Sequence, residues 1–394
     1  MESAMGSRRK VAVVADNIVS ALGLSSAENY AAVVEGKSAL QRYEGLWNLP
    51  TPFAASFLDC DTVSEECARE AIEGHFTLFE RIVLLSVKKA LAVCGADITS
   101  ERTLLMLSST KGNVDLLRQP VPDIPENRVL LGESAKAIAH FLGNPNNPLV
   151  VSNACISGSS AQIEAMRMIA LGMYDTVVVT GADVLSPFII SGFQSLQALS
   201  AEPCRPFDEE RLGINLGEAA ATIVFQGQQP DEESMTGQWL LDKGAIRNDA
   251  FHVSGPSRTA EGCYRALQQV LKDEDQGSLA FINAHGTATL FNDEMEAVAI
   301  DRAGLNQVPV NGLKGYYGHT MGAAGILESI VSMHAADHGV VLGTRGYSEL
   351  GVSRRINLSS QHRTTTKKNF VKLLSGFGGG NAALLFRKEH TPTR

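Results

Sequence analysis

Cys155 lies where the apolar run Leu149-Val150-Val151 gives way to Ser152-Asn153-Ala154-Cys155-Ile156-Ser157-Gly158 and then to the helical pattern Ala161 to Leu171. This order reads as strand, turn and helix, with a thiol at the turn. Unpaired backbone N–H groups and the positive end of the macrodipole stabilise a thiolate at a helix start, so a lowered thiol pKa and a nucleophile are expected. The competing reading is a small buried hydrophobe, which is what most free cysteines are. Cys60, Cys67, Cys94, Cys204 and Cys263 lack a comparable setting, and no CxxC pair suggests zinc or a redox dithiol. Scattered cysteines of this kind suit a reducing cytoplasm better than a disulfide scaffold.

Two histidines give the thiol partners. His285 stands in Asn283-Ala284-His285-Gly286-Thr287-Ala288-Thr289, after an apolar run and ahead of two hydroxyls. His319 stands within Lys314-Gly315-Tyr316-Tyr317-Gly318-His319-Thr320-Met321-Gly322, where glycines let a backbone or a ligand approach closely. Glu328 follows on the next helical pattern, and an ion pair between a buried Lys314 and Glu328 is expected. The segment Ser375-Gly376-Phe377-Gly378-Gly379-Gly380-Asn381 is too rich in glycine for a helix or a regular strand. Its backbone N–H groups are suited to holding an oxyanion.

These residues must be positioned by a framework of strands and helices. Short apolar runs read as buried strands at Val11 to Ala15, Thr103 to Leu107, Leu149 to Ser152, Thr176 to Thr180, Ala220 to Phe225, Leu279 to Asn283, Val308 to Asn311 and Ala382 to Phe386. Helical patterns lie between several of them, at Phe79 to Val93, Ala161 to Leu171, Ala260 to Leu271, Asp293 to Ala303 and Ala323 to Ala336. The alternation predicts an α/β protein with predominantly parallel sheets covered by helices. With 394 residues, the chain exceeds the size at which a single core stops growing. Its best boundary is the polar segment Gln226 to Gly237, which separates a half at residues 1–226 from a half at 238–394. Both halves carry chemistry on a strand, a loop and a helix, a pattern that suggests two related units meeting at one site.

The bulk properties narrow the function. A net charge of -9, from 34 basic and 43 acidic residues, argues against nucleic acid or an anionic membrane as the main partner. The apolar run Val11 to Ala15 is cut short by Asp16 and Asn17, too soon for a signal core or a membrane span. A cytoplasmic protein is expected, with disorder only at Met1 to Ser7 and His390 to Arg394.

Taken in order, these motifs, with Cys204-Arg205-Pro206-Phe207-Asp208 and the pair Asp293 and Glu296, resemble those of the β-ketoacyl-acyl carrier protein synthases, condensing enzymes of the thiolase superfamily. The Cys-His-His set is similar to the elongating branch. The resemblance implies a thiolase-like fold, two pseudo-repeated halves forming a five-layered αβαβα sandwich. It implies that Cys155 takes an acyl chain from the phosphopantetheine arm of an acyl carrier protein, with the N–H groups of Cys155 and Phe377 holding the oxyanion. His285 and His319 would then stabilise the enolate left when a malonyl thioester loses carbon dioxide. Thr287 and Thr289 would bind the pantetheine arm, Phe377 would gate acyl entry, and Lys314 with Glu328 would set the electrostatics around His319. Asp293, like Asp208, Glu296 and Asn381, would support the loops. Decarboxylation drives the reaction, so neither a metal nor a redox cofactor is implied. A homodimer is implied, or a heterodimer with a related ketosynthase subunit, with the strand Thr176 to Thr180 a candidate for pairing sheets.

Some residues depart from the family pattern. Leu212, Asn215 and Ala219 replace familiar residues, Tyr316 and Tyr317 are bulky, and Lys111 stands where a small apolar acyl-pocket loop is usual. These changes suggest a specialised acyl chain, polyunsaturated or aryl-primed as in pigment-type polyene pathways, with Lys111 either at the acyl gate or turned to solvent. The alternative function is a noncatalytic, chain-length-determining partner subunit, against which the retained Cys155, His285 and His319 argue.

Overall fold

The computed structural model describes residues 9–228 and 237–389. Its first half runs β1 (Lys10–Ser20), α1 (Ser26–Val34), β2 (Gln41–Tyr43), β3 (Phe53–Ser56), α2 (Cys60–Arg69), α3 (Leu78–Cys94) and β4 (Thr103–Ser108). It continues through α4 (Leu131–Leu142), β5 (Leu149–Val151), α5 (Ser157–Ala170), β6 (Thr176–Asp183), α6 (Pro187–Ser195), β7 (Leu216–Gly217) and β8 (Ala219–Gln228). The second half runs β9 (Trp239–Asn248), α7 (Glu261–Val270), β10 (Leu279–Asn283), α8 (Leu290–Arg302), β11 (Val310–Asn311), α9 (Lys314–Tyr317) and α10 (Ala324–Asp337). It ends with β12 (Val340–Val341), β13 (Arg363–Thr364), β14 (Asn369–Gly376) and β15 (Gly380–Lys388). Most of the expected boundary segment and both expected disordered ends lie outside the described residues.

Ten strands join in the order β11-β10-β14-β15-β9-β1-β8-β6-β4-β5. The order is symmetric about the contact between β9 and β1. On each side two antiparallel pairings come first and two parallel pairings lie toward the edge. The sheets are therefore mixed, which corrects the expectation of mainly parallel ones. The antiparallel partners of β1 are β8 and β9, from the other end of the half and the next half of the chain, and no local pattern signals such pairings.

Side-chain alternation along the strands builds the layers. In β6, Val177 and Val179 face a central apolar cluster, while Val178 faces an outer one with Ile82 and Val83 of α3. In β15, Leu384 and Phe386 face the same central cluster, while Leu385 faces the opposite outer cluster with Leu267 of α7 and Ile300 of α8. The central layer is α5 and α10, so the stack is helix, sheet, helix, sheet, helix. α10 is buried almost all round, as a helix between two sheets must be. The fold is thus the expected five-layered α/β sandwich.

Local chemistry fixes the ends of these elements. α3 opens on a capping box between Thr77 and Glu80 and stops at Gly95 in the left-handed region. The expected strand at Val308 shrinks to Val310–Asn311, because Pro309 has no N–H to add to the ladder. β6 pairs with β4 on one edge and β8 on the other, so the strand Thr176 to Thr180 is not free to pair sheets across a dimer. The sheet edge on that side is β5. Among the described residues, no helix is long and apolar enough to cross a membrane.

Candidate active site

The nucleophile turn joins β5 to α5. Ala154 adopts φ 45°, an uncommon conformation for a residue with a side chain, immediately before Cys155. The Ser157 hydroxyl holds the turn, accepting from the Asn153 N–H at 2.8 Å and donating to the Ala154 carbonyl at 2.6 Å. Gly376, at the end of β14, comes so close that a Cβ there would lie 3.1 Å from the Cys155 nitrogen. The turn from Phe377 to Gly379 joins β14 and β15, so the glycine-rich segment is the tip of a regular hairpin. The backbone N–H groups of Phe377 and of Cys155 itself both favour a charged sulfur.

The resting thiol does not have the lowered pKa expected from the helix start. Cys155 is buried, and burial pushes its thiol up, against the pull of Lys314, of the Phe377 N–H and of Lys111. Desolvation disfavours the charged form more than these groups favour it.

His285 follows β10, and its N–H donates to Glu296 Oε1 at 2.6 Å while the Gly286 N–H donates to Oε2 at 2.8 Å. His319 donates its N–H to the Asn215 carbonyl at 2.7 Å, and its carbonyl accepts from the Gly217 N–H at 3.1 Å. Gly318 makes that approach feasible, with φ 72° and no room for a Cβ beside the Leu216 carbonyl. The two rings meet edge to face, their centroids 5.0 Å apart. The Cys155 sulfur and one ring nitrogen from each histidine all lie within 4.8 Å of one another. Burial holds both histidines well below the usual imidazole range, and the charges of Lys314 and Lys372 act in the same direction. Both rings are therefore neutral, each with one N–H to donate.

Beneath the histidines, Lys314 Nζ donates to Glu328 Oε1 at 2.7 Å and to the His285 carbonyl at 2.6 Å. A second lysine, Lys372 on β14, donates to Glu328 Oε2 and, at 3.2 Å, to the Ala284 carbonyl. All three side chains are buried. Lys372 was not among the residues expected at the site; its signal in the sequence is a lone cation between Val371 and Leu373.

A cavity of about 630 Å³ opens onto Cys155, His285 and His319. Thr287 and Thr289 line it, their hydroxyls 2.8 Å apart, and Phe377 lines it beside Phe193 with ring centroids 5.8 Å apart. Asp293 accepts from the N–H groups of Phe207, Thr287 and Ala288 at 2.7 to 3.1 Å, fixing the loop that carries the threonines. Leu212 is exposed at the mouth. Tyr316 and Tyr317 lie outside the lining, their hydroxyls donating to the Gly343 and Asn29 carbonyls, so their bulk does not narrow the cavity. Lys111 is also outside the lining. Its backbone N–H donates to Asp183 Oδ1 at 3.0 Å, and its amine has only the Thr110 carbonyl, at 3.4 Å, among the described residues. Asp183, also missed in the sequence, is a buried carboxylate that ties the Ser109 to Lys111 loop to the Gly322 N–H.

Residues 8–230 match the family model described as Beta-ketoacyl synthase, N-terminal domain, and residues 240–348 match its C-terminal counterpart. The chain is 31% identical over 282 residues to the 3-oxoacyl-[acyl-carrier-protein] synthase 2 of Rhizobium meliloti, an alignment covering 67% of this chain and 66% of that one. It is 28% identical over 415 residues to the enzyme of the same name from Vibrio harveyi, covering 97% and 99%. The crystal structure of a β-ketoacyl synthase from Burkholderia phymatum superposes with a TM-score of 0.84 at 25% identity, covering 96% and 99%. At 23% identity and a TM-score of 0.82, the fold is also shared with a ketosynthase from Xenorhabdus doucetiae solved in complex with its chain length factor, covering 98% and 100%.

Proposed function

The chain belongs to the β-ketoacyl synthase family, and from that premise we propose that it lengthens an acyl chain carried on Cys155 by decarboxylative Claisen condensation. The observation that carries this reading is the intact thiol and histidine pair, gathered within 4.8 Å at an open cavity.

In the first half-reaction the Cys155 sulfur attacks the carbonyl of an acyl thioester on a phosphopantetheine arm. The N–H groups of Cys155 and Phe377 stabilise the tetrahedral oxyanion. The bond from carbon to the arm's sulfur then breaks, and the departing thiol takes the proton that Cys155 gives up. In the second half-reaction a malonyl thioester loses carbon dioxide, and the electron pair of the broken bond passes into an enolate. His285 and His319 donate hydrogen bonds to the enolate oxygen, a role for neutral imidazoles in a water-poor site. The enolate carbon attacks the acyl carbonyl, the bond to Cys155 breaks with its electron pair staying on the sulfur, which takes a proton from solvent to restore the thiol, and a β-ketoacyl thioester two carbons longer leaves.

Thr287 and Thr289 are assigned to the pantetheine arm, Phe377 with Phe193 to the acyl gate, and Lys314 with Glu328 to the field around the histidines. The partner is an acyl carrier protein, which brings both substrates to a mouth rimmed by Leu212. The halves 1–226 and 238–394 act as two units related by a pseudo-twofold axis, a division supported by the mirrored strand order. A second chain, identical or a related ketosynthase subunit, pairs with the first, and the position of β5 at the sheet edge supports that assembly. All six cysteines are free, which supports a reducing cytoplasm. Incubating the protein with acyl- and malonyl-loaded carrier proteins tests the reading: a β-ketoacyl product is expected from the native chain and none from Cys155→Ala. Equal product from both would overturn it.

A further inference from the structure

The apolar pattern of β14 makes Lys372 an anomaly. Phe370 and Leu374 face the central cluster, and Val371 and Leu373 face the outer one. Alternation therefore sends Lys372 into the central layer between sheet and helix, where it is fully buried. A buried charge is costly unless it is paired and hydrogen-bonded. Lys372 meets both conditions by sharing Glu328 with Lys314. One carboxylate thus serves two ammonium groups.

The backbone contacts of the two amines give this arrangement a direction. Lys372 donates to the carbonyl of Ala284, and Lys314 donates to the carbonyl of His285, the next residue. Glu296 accepts the N–H groups of His285 and Gly286. The peptide units on both sides of His285 are therefore held by charged side chains from two helices and one strand. We propose that Lys372 is a positioning residue for the condensation, which grips the backbone ahead of His285 and keeps His285 and His319 in the neutral, hydrogen-bond-donating form.

The charged groups facing Lys372 are Glu328 on α10, Lys314 on α9 and Glu296 on α8, with Asp293 beside Glu296; His285, His319 and Cys155 lie above them. Burial pulls the Lys372 amine down to about 8, with Lys314 acting the same way and Glu328 opposing them. The ion pair with Glu328 keeps the amine charged. Its positive charge then opposes protonation of either imidazole, alongside burial and Lys314.

The inference rests on the reading of His285 and His319 as enolate donors, and its test separates the two. In Lys372→Met, which keeps the length of the side chain, acylation of Cys155 by acyl-carrier protein should stay within about twofold of native, while the acid limb of malonyl decarboxylation should move up by about one pH unit. A limb that stays in place, or a loss equal in both half-reactions, would overturn the role of Lys372 and leave the condensation itself standing. If that variant does not fold, NMR of isotope-labelled histidine compares the native protein with Lys372→Gln. Both active-site rings should remain neutral through pH 6.5 in the native protein and titrate at higher pH in Lys372→Gln, and identical titration in the two, or a normal titration in the native protein, would overturn the proposal. A native chain that never decarboxylates malonyl-carrier protein would instead contradict the proposed function, and the histidine titration would still decide on Lys372.

Discussion

The ring of His319 meets the ring of His285 edge to face at 85°, and Nδ1 of His285 and both ring nitrogens of His319 have no hydrogen-bond partner among the described residues. Buried polar atoms left without partners are rare in folded proteins, and at a cavity they mark where a substrate is to bind. One nitrogen of each ring lies within 4.8 Å of the sulfur that carries the acyl chain, which suits the two rings to an oxyanion formed after acylation.

A division of labour follows from that geometry. His285→Ala and His319→Ala should each still accept an acyl group on Cys155, while release of carbon dioxide from malonyl-carrier protein falls by about 10²-fold or more. Following acyl-enzyme and carbon dioxide separately checks this. Loss of acylation in proportion to loss of decarboxylation contradicts it.

The pH dependence has a definite sign. Both histidines are held well below the usual 6.5, so their donating form persists as pH falls through 6.5. The acid limb of decarboxylation should therefore lie below pH 6.5. The same groups affect stability: unfolded imidazoles take up protons from pH 6.5 downward while the folded ones do not, so their contribution is complete above 6.5 and is lost as pH falls. Rate profiles and thermal melts between pH 5 and 8 read both effects, and an acid limb at or above 6.5 is the contrary result.

Gly376 is a test of close approach. An added Cβ would sit 3.1 Å from the Cys155 nitrogen and 3.4 Å from the Ile156 nitrogen, so the hairpin must shift away from the nucleophile turn. Gly376→Ala should slow acyl transfer by about 10²-fold, the scale of losing one oxyanion donor, with little change in melting temperature. An unchanged acylation rate counts against the Phe377 N–H as that donor.

Glu218 tests the frame behind the gate. Its carboxylate accepts the Leu185 N–H at 2.8 Å and the Leu58 N–H at 3.0 Å, tying the segment before α6 to the rest of the half. Glu218→Ala accepts neither of them, and each orphaned N–H should cost about 1–3 kcal/mol. Burial raises the Glu218 pKa to about 7, so its favourable contribution is full below pH 4.5 and lost as pH rises through about 7. The stability deficit of the variant should accordingly be largest near pH 4.5 and shrink toward pH 7, as read by thermal unfolding. A deficit growing with pH contradicts this.

The site was legible in the sequence where chemistry and backbone geometry share a short segment. The turn at Cys155, the loops at His285 and His319, and the Phe377 tip are each written in fewer than twelve residues, and the structure brings them to one cavity. What could not be read depends on distant contacts. The antiparallel centre of the sheet needs β1 to meet β8 and β9, and the role of Lys372 exists only because Glu328 and Ala284 arrive from other elements. The direction of the Cys155 shift failed for the same reason, since burial is a property of the assembled layers and a helix start is a local one.

The most direct test of the account is intact-protein mass spectrometry of the native chain after exposure to acyl-carrier protein alone. The account predicts a mass gain of one acyl group, localised by peptide mapping to Cys155, absent in Cys155→Ala and discharged when malonyl-carrier protein is added. An acyl group on another residue, or one that persists in Cys155→Ala, would contradict it.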